Sequence, residues 1–160
     1  MTKQETLEYL AARDVAFETE EHPAVFNMEE LKAVDLKYPD RDAKNLFVRD
    51  DKKTGWYLIT VMGDKRVDLK AFRQKFGLRK LSFASPEDLM SVMGLIPGAV
   101  TPLGLLSDAE RKVEWYLDAS FGDGLMGVHP NDNKATVWLK AADLKRLIED
   151  HGNTVHIVDI

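Results

Sequence analysis

Lys44-Asn45-Leu46-Phe47-Val48-Arg49-Asp50-Asp51-Lys52-Lys53-Thr54-Gly55-Trp56-Tyr57-Leu58-Ile59-Thr60-Val61-Met62 is the stretch on which the fold turns. Lys44 to Arg49 opens a strand. Asp50 to Gly55 is a polar connection of turn-forming residues. Trp56 to Met62 returns as a run of aromatic and β-branched residues, the composition a pleated, buried surface selects. Two strands joined this way predict an antiparallel hairpin.

Outward from the hairpin the punctuation is regular. Toward the N-terminus, Thr2 with Glu5 three residues on is a capping box, and Leu7 and Leu10 face inward from a short helix ending near Arg13. Val15 to Glu21 reads as a strand that His22-Pro23 breaks. Asn27 is suited to cap a helix over Met28 to Val34. Toward the C-terminus, Asp68 caps a helix with Leu69, Phe72 and Phe76 on its inner face, ended by Gly77. Leu81 to Phe83 is a short strand. Ser85-Pro86-Glu87-Asp88 starts a helix that stops at Gly94. Gly94 to Gly104 is apolar but interrupted by glycine and proline, so it is neither a regular helix nor a central strand. Strands follow at Val113 to Ala119, Leu125 to Val128, Ala135 to Lys140 and Val155 to Val158, with a helix over Ala141 to His151. The expected architecture is one α+β domain over residues 1–160, with a mixed, largely antiparallel, partly barrel-like sheet surrounded by helices.

Composition narrows the chemistry. The 160 residues are 44% hydrophobic and 31% charged, ordinary for a globular domain with a real core. The absence of cysteine removes disulfides, thiol nucleophiles and thiolate metal ligands. His22, His129, His151 and His156 show no metal-ligand spacing, so no metal and no cofactor is expected. There is no signal-peptide core and no apolar run of membrane-spanning length, which points to a cytoplasmic protein without membrane contact. The net charge of −5 argues against broad nucleic-acid coating and against a DNA partner. Lys65 to Lys80 is nevertheless locally basic: a solvated helix face, or a surface for phosphates.

Three stretches stand out as chemistry-bearing. Lys44-Asn45 sits at a strand mouth, where a cation beside an amide suits a phosphate or a developing oxyanion. The glycines of Gly94–Gly104 let backbone N–H groups approach a ligand closely. Gly127-Val128-His129-Pro130-Asn131-Asp132-Asn133 gathers an imidazole, amides and a carboxylate in one stiffened turn, which reads either as a polar hairpin turn or as a site.

Taken together, these stretches resemble the YbaK-like aminoacyl-tRNA deacylases, freestanding relatives of the editing domain inserted in bacterial prolyl-tRNA synthetase. The matching blocks are Lys44-Asn45-Leu46-Phe47, Gly63-Asp64-Lys65-Arg66-Val67-Asp68, Leu81-Ser82-Phe83-Ala84-Ser85, Gly94 through Gly104, and Gly127 through Asn133 with Thr136. They occur in family order along nearly the whole chain. The Lys-Asn pair and the His-Pro-Asn-Asp-Asn block are similar to the branch acting on alanyl-tRNA(Pro). The resemblance implies a hydrolase that releases alanine from the acceptor end of tRNA(Pro), with prolyl-tRNA synthetase as a transient partner. It implies catalytic or positioning roles for Lys44, Asn45 and His129. Substrate contacts would come from Gly94, Ile96, Pro97, Gly98 and Thr101, with Arg79 meeting acceptor phosphates. It also implies that the ribose hydroxyl of the substrate helps activate the water, so no protein nucleophile is needed. A same-fold deacylase for cysteinyl- or seryl-tRNA, or a tRNA-end binding module without chemistry, are the alternatives.

Overall fold

The computed structural model describes all residues except 27, 28, 31–35 and 64. The expected helix over Met28 to Val34 lies largely outside the described residues. The expected hairpin is present: β2 (Ala43–Asp50) pairs antiparallel with β3 (Trp56–Met62) from Ala43 opposite Met62 to Arg49 opposite Trp56. Asp50 organises the turn, its carboxylate accepting from the N–H groups of Lys52, Thr54 and Gly55 and from the Thr54 hydroxyl.

Five strands form one sheet in the order β4-β2-β3-β5-β8, where β4 is Leu81–Phe83, β5 Val113–Asp118 and β8 Val155–Val158. β4 and β3 run antiparallel to β2, whereas β3, β5 and β8 run parallel. A second sheet has the order β1-β7-β6, with β1 at Phe17–Glu21, β6 at Leu125–Val128 and β7 at Ala135–Lys140, all antiparallel. Taken over both sheets the strand pairing is mixed and largely antiparallel. Among the described residues the two sheets meet at one bridge, Asp42 beside Gly127, and do not close into a barrel.

Four α-helices among the described residues flank the sheets: α1 (Lys3–Ala12), α2 (Leu69–Phe76), α3 (Pro86–Met93) and α4 (Ala141–His151). Their caps are those the sequence announces. Thr2 and Glu5 close a capping box, the Asp68 carboxylate accepts from Lys70 and Ala71 N–H, Ser85 caps α3, and Gly77 and Gly94 end their helices in the left-handed region. The Gly94–Gly104 stretch departs from pure loop at its end, where Pro102–Ser107 winds into a 3-10 helix. The main core lies between the sheets and under α3 and α4, around Leu58, Leu103, Trp115 and Leu144. A second core lies on the other face of the five-stranded sheet, where Phe72 of α2 packs on Val48, Val61 and Tyr116. No helix among the described residues is long and apolar enough to cross a membrane.

The junction of the sheets depends on a missing side chain. A β-carbon on Gly127 would stand 2.5 Å from the ring of Trp138, which is 1% exposed and has nowhere to go. Gly127→Ala should reduce stability by about 1–3 kcal/mol, the cost of overpacking a rigid core, which outweighs the smaller gain from a stiffer unfolded chain. A lowered urea midpoint checks this; an unchanged or raised midpoint contradicts it.

Candidate active site

Two strands leave the Asp42–Gly127 bridge side by side and in the same direction. Lys44 lies two residues beyond Asp42, and His129 lies two residues beyond Gly127. At about 3.3 Å per residue both remain within one or two side-chain lengths of the junction. The backbone N–H of Gly127 also donates to the Arg41 carbonyl at 2.9 Å, which tightens the same corner.

His129 has a histidine neighbour that the sequence did not reveal. β1 and β6 both pair antiparallel with β7 and flank it, so they end at the same edge of their sheet. Each is followed by a His-Pro dipeptide, and the His22 and His129 rings meet edge-on with centroids 6.3 Å apart. The repeated strand-end His-Pro was the available signal. The carbonyl partners fix both tautomers. His129 Nδ1–H donates to the Ala135 carbonyl at 3.0 Å, leaving Nε2 with its lone pair. His22 Nδ1–H donates to the Pro23 carbonyl at 2.9 Å, and its Nε2 accepts from the Thr136 hydroxyl at 2.9 Å. Burial pushes the His129 pKa below the ordinary histidine value, and the facing His22 ring, a second basic group, acts in the same direction. His129 is therefore a neutral imidazole with one uncommitted acceptor nitrogen.

The rest of the 129–133 turn is scaffold. Asn131, at φ +61°, donates from its amide to the Thr6 hydroxyl at 2.7 Å and so ties the turn to α1. Asn133 donates to the Val25 carbonyl at 2.9 Å, and its own backbone carbonyl accepts from Val25 N–H. Val25 and Phe26 in turn press on Gly98. A β-carbon there would lie 2.9 Å from the Phe26 ring and 3.2 Å from its Cα, and φ of +89° already favours glycine. The polar turn thereby holds the glycine-proline loop in place.

Asn45 faces that loop across a cleft of about 280 Å³, lined by Asn45, Phe47, Phe83, Pro97, Gly98 and Val100 among others. Its side-chain carbonyl accepts from the Thr60 hydroxyl at 2.6 Å, and Thr60 accepts from the Trp115 indole N–H at 2.8 Å. Thr60 and Trp115 are fully buried. This relay fixes the amide orientation and leaves the Asn45 NH2 group without an acceptor among the described residues, available to a ligand carbonyl or hydroxyl.

The other expected residues are placed differently. Strand alternation sends Lys44, opposite Val61, to the outer face of the sheet, and Asn45, opposite Thr60, to the inner face. The Lys44 ammonium lies 3.4 Å from the Lys65 carbonyl, in a segment held by the Lys65–Asp118 ion pair at 2.8 Å. Ile96 is 52% exposed on the loop beside Pro97. Gly94 ends α3 rather than lining the cleft. Thr101 is fully buried and its hydroxyl accepts from Leu103 N–H, so it caps the 3-10 helix. Arg79 binds Asp51 through both Nε and Nη2, at 2.6 and 3.1 Å, near the turn end of β2 and away from Lys44. His151 bonds Asn153, and His156 pairs with Glu114 and stacks on Tyr116; neither lines the cleft. Among the described residues no group of three His, Asp or Glu side chains is arranged to hold a metal.

The sequence model of the aminoacyl-tRNA editing domain family matches residues 22–147, a span that contains His22, Asn45, Gly98 and His129. A protein of Acetoanaerobium sticklandii described as prolyl-tRNA editing protein ProX is 37% identical over 159 residues, covering 99% of this chain and 97% of the relative. The Bos taurus prolyl-tRNA synthetase associated domain-containing protein 1 is 32% identical over 149 residues, covering 90% of this chain and 86% of its own. A crystal structure described as a candidate trans-editing enzyme for prolyl tRNA synthetase superposes with a TM-score of 0.71 at 23% identity, covering all of this chain and 98% of that one, and so shares the fold. The chain belongs to the aminoacyl-tRNA editing domain family and is, by that membership, an aminoacyl-tRNA hydrolase.

Proposed function

We propose that residues 1–160 act as one editing unit that hydrolyses the ester of alanyl-tRNA(Pro) in the cytoplasm, releasing alanine and free tRNA. The observation that carries this reading is the Asn45 amide: locked through Thr60 and Trp115, with a free NH2 group, across a small cleft from the Pro97–Gly98 backbone. A preset donor of this kind stabilises charge as it develops on an ester oxygen. The Gly98 backbone closes the other side of the aminoacyl group. The neutral His129, with a free Nε2, orders the attacking water or the substrate hydroxyl that activates it. Lys44, on the outer face, takes a phosphate of the terminal nucleotide, so the ester and the nucleotide lie on opposite sides of the strand mouth.

Size supplies the selectivity. A synthetase site shaped for proline rejects alanine weakly, because missing methylenes are worth only about 1–3 kcal/mol. A second site corrects the error by admitting the smaller side chain and excluding the larger. Pro97 and Val100 form an apolar wall suited to that exclusion. Prolyl-tRNA synthetase is the transient source of the mischarged tRNA.

A panel of charged tRNAs tests the assignment. Purified protein should release alanine from tRNA(Pro) rapidly and leave prolyl-tRNA(Pro) intact; preference for cysteinyl- or seryl-tRNA would move the specificity, and no release from any charged tRNA would refute the enzyme. Asn45→Ala and His129→Ala should each lower kcat/KM by roughly 10²–10³, the range for losing one preset donor. Activity within twofold of wild type in both would refute the site.

The pH dependence has a fixed sign. The unfolded His129 ring titrates near about 6.5, and the folded ring below that. The unfolded chain therefore binds more protons between those two values. The stability associated with neutral His129 is complete above about pH 6.5 and is lost as pH falls through the folded value. Enzymatic kcat/KM, corrected for spontaneous ester hydrolysis, should hold its plateau down through about pH 6.5 and fall only below it. An acidic limb centred above that value would contradict a neutral, depressed His129.

A further inference from the structure

The outer face of the five-stranded sheet carries a second concavity, of about 340 Å³, lined by Leu69, Lys70, Arg73, Lys80 and Leu81. Three of its five lining residues are cations, and none is acidic. None of the three cations forms an ion pair among the described residues, in a chain whose net charge is −5. Their basic neighbours are committed elsewhere: Arg79 to Asp51, Lys65 to Asp118 and Lys75 to the Asp159 carbonyl. Asp68, the acid nearest in sequence, is occupied as the cap of α2. Unpaired cations over a leucine floor repel one another and are held together by the fold; an anion relieves that repulsion.

The position of this groove says which anion. It opens along β4, one of the two edge strands of its sheet. Leu81 of β4 lies in the groove, and Phe83, two residues on, lies in the ester cleft and is 61% exposed. Leu81 is opposite Asp50 on β2 and Phe83 opposite Val48, so β4 runs from the groove toward Asn45. The level of Leu81 is about 17 Å from Asn45, five residues along β2 at the strand rise. Lys44 is on the same outer face. Cations and an exposed aromatic leading toward a cleft are the pattern that tracks a nucleic-acid backbone into a site.

We propose that Lys70, Arg73 and Lys80 form a phosphate-binding groove that holds the sugar-phosphate backbone of the tRNA acceptor arm and delivers its 3′ end along β4 to the Asn45 cleft. The identity of the occupant rests on the aminoacyl-tRNA reading above. The groove, rather than Arg79, is then the main backbone contact of the basic segment, because the charge of Arg79 is already matched by Asp51.

Binding of uncharged tRNA(Pro), measured by fluorescence anisotropy across a salt series, tests this without relying on chemistry. The triple variant Lys70→Ala, Arg73→Ala, Lys80→Ala should bind at least tenfold more weakly at low salt. Its slope of log affinity against log salt should be shallower by roughly 0.7–0.9 for each phosphate that is no longer neutralised. In steady-state deacylation the variant should raise KM and leave kcat in place. Arg146→Gln, an exposed cation on α4, serves as the control for general charge and should move neither slope nor KM. An unchanged slope in the triple variant overturns the groove. A wild type that binds tRNA with the expected slope, lost in the variant, but releases no amino acid supports the groove and refutes the hydrolase. A wild-type hydrolase whose triple variant keeps its affinity refutes the groove and leaves the hydrolase.

Discussion

The ring of Trp138 occupies the space that any side chain on Gly127 would need, and Gly127 also bridges to Asp42. That bridge is the only one between strands of the two sheets among the described residues. Arg41 reinforces it, donating to the carbonyls of Leu125 and Phe121 at 2.8 and 2.9 Å. Every element of the candidate site is referred to this corner. One strand carries Lys44 and Asn45 away from it, the other carries His129, and the turn beyond His129 clamps Val25 and Phe26 onto Gly98. The geometry of the site is thus set by packing of backbone against an indole.

The chemistry built on this frame is one of presetting. The Asn45 carbonyl is used internally so that its NH2 is not, and the His129 Nδ1–H is used internally so that Nε2 is not. In both cases an internal partner fixes which end of a two-ended polar group is left free, and in the proposed reaction this removes a reorganisation cost. Such a site suits an activated substrate like an aminoacyl ester, where placing water and stabilising an oxyanion are sufficient.

Much of this was legible in the sequence because it is local. Helix caps at Thr2, Asp68 and Ser85, the stops at Gly77 and Gly94, and the alternating strands all follow from residues a few positions apart. What was not legible depends on tertiary register. Lys44 and Asn45 are adjacent in sequence and read as a working pair, yet the pleat sends them to opposite faces. Thr101 looks like a ligand-binding hydroxyl in a glycine-rich loop and proves to be a buried cap. Arg79 looks like one more cation in a basic run, and its exposed ion pair with a partner 28 residues away appears only in the fold. The pairing of His22 with His129 follows only once β1 and β6 are known to flank the same strand.

Asn45, Gly98 and His129 are proposed to surround one ligand. This proposal is tested most directly by adding a non-hydrolysable analogue, alanine joined through an amide to the 3′ position of adenosine, to isotope-labelled protein and following its NMR spectrum. The Asn45 side-chain NH2, the Gly98 N–H and the His129 ring signals should shift together along one binding curve. Shifts that leave His129 or Asn45 unmoved, or that map to another face of the molecule, would contradict it.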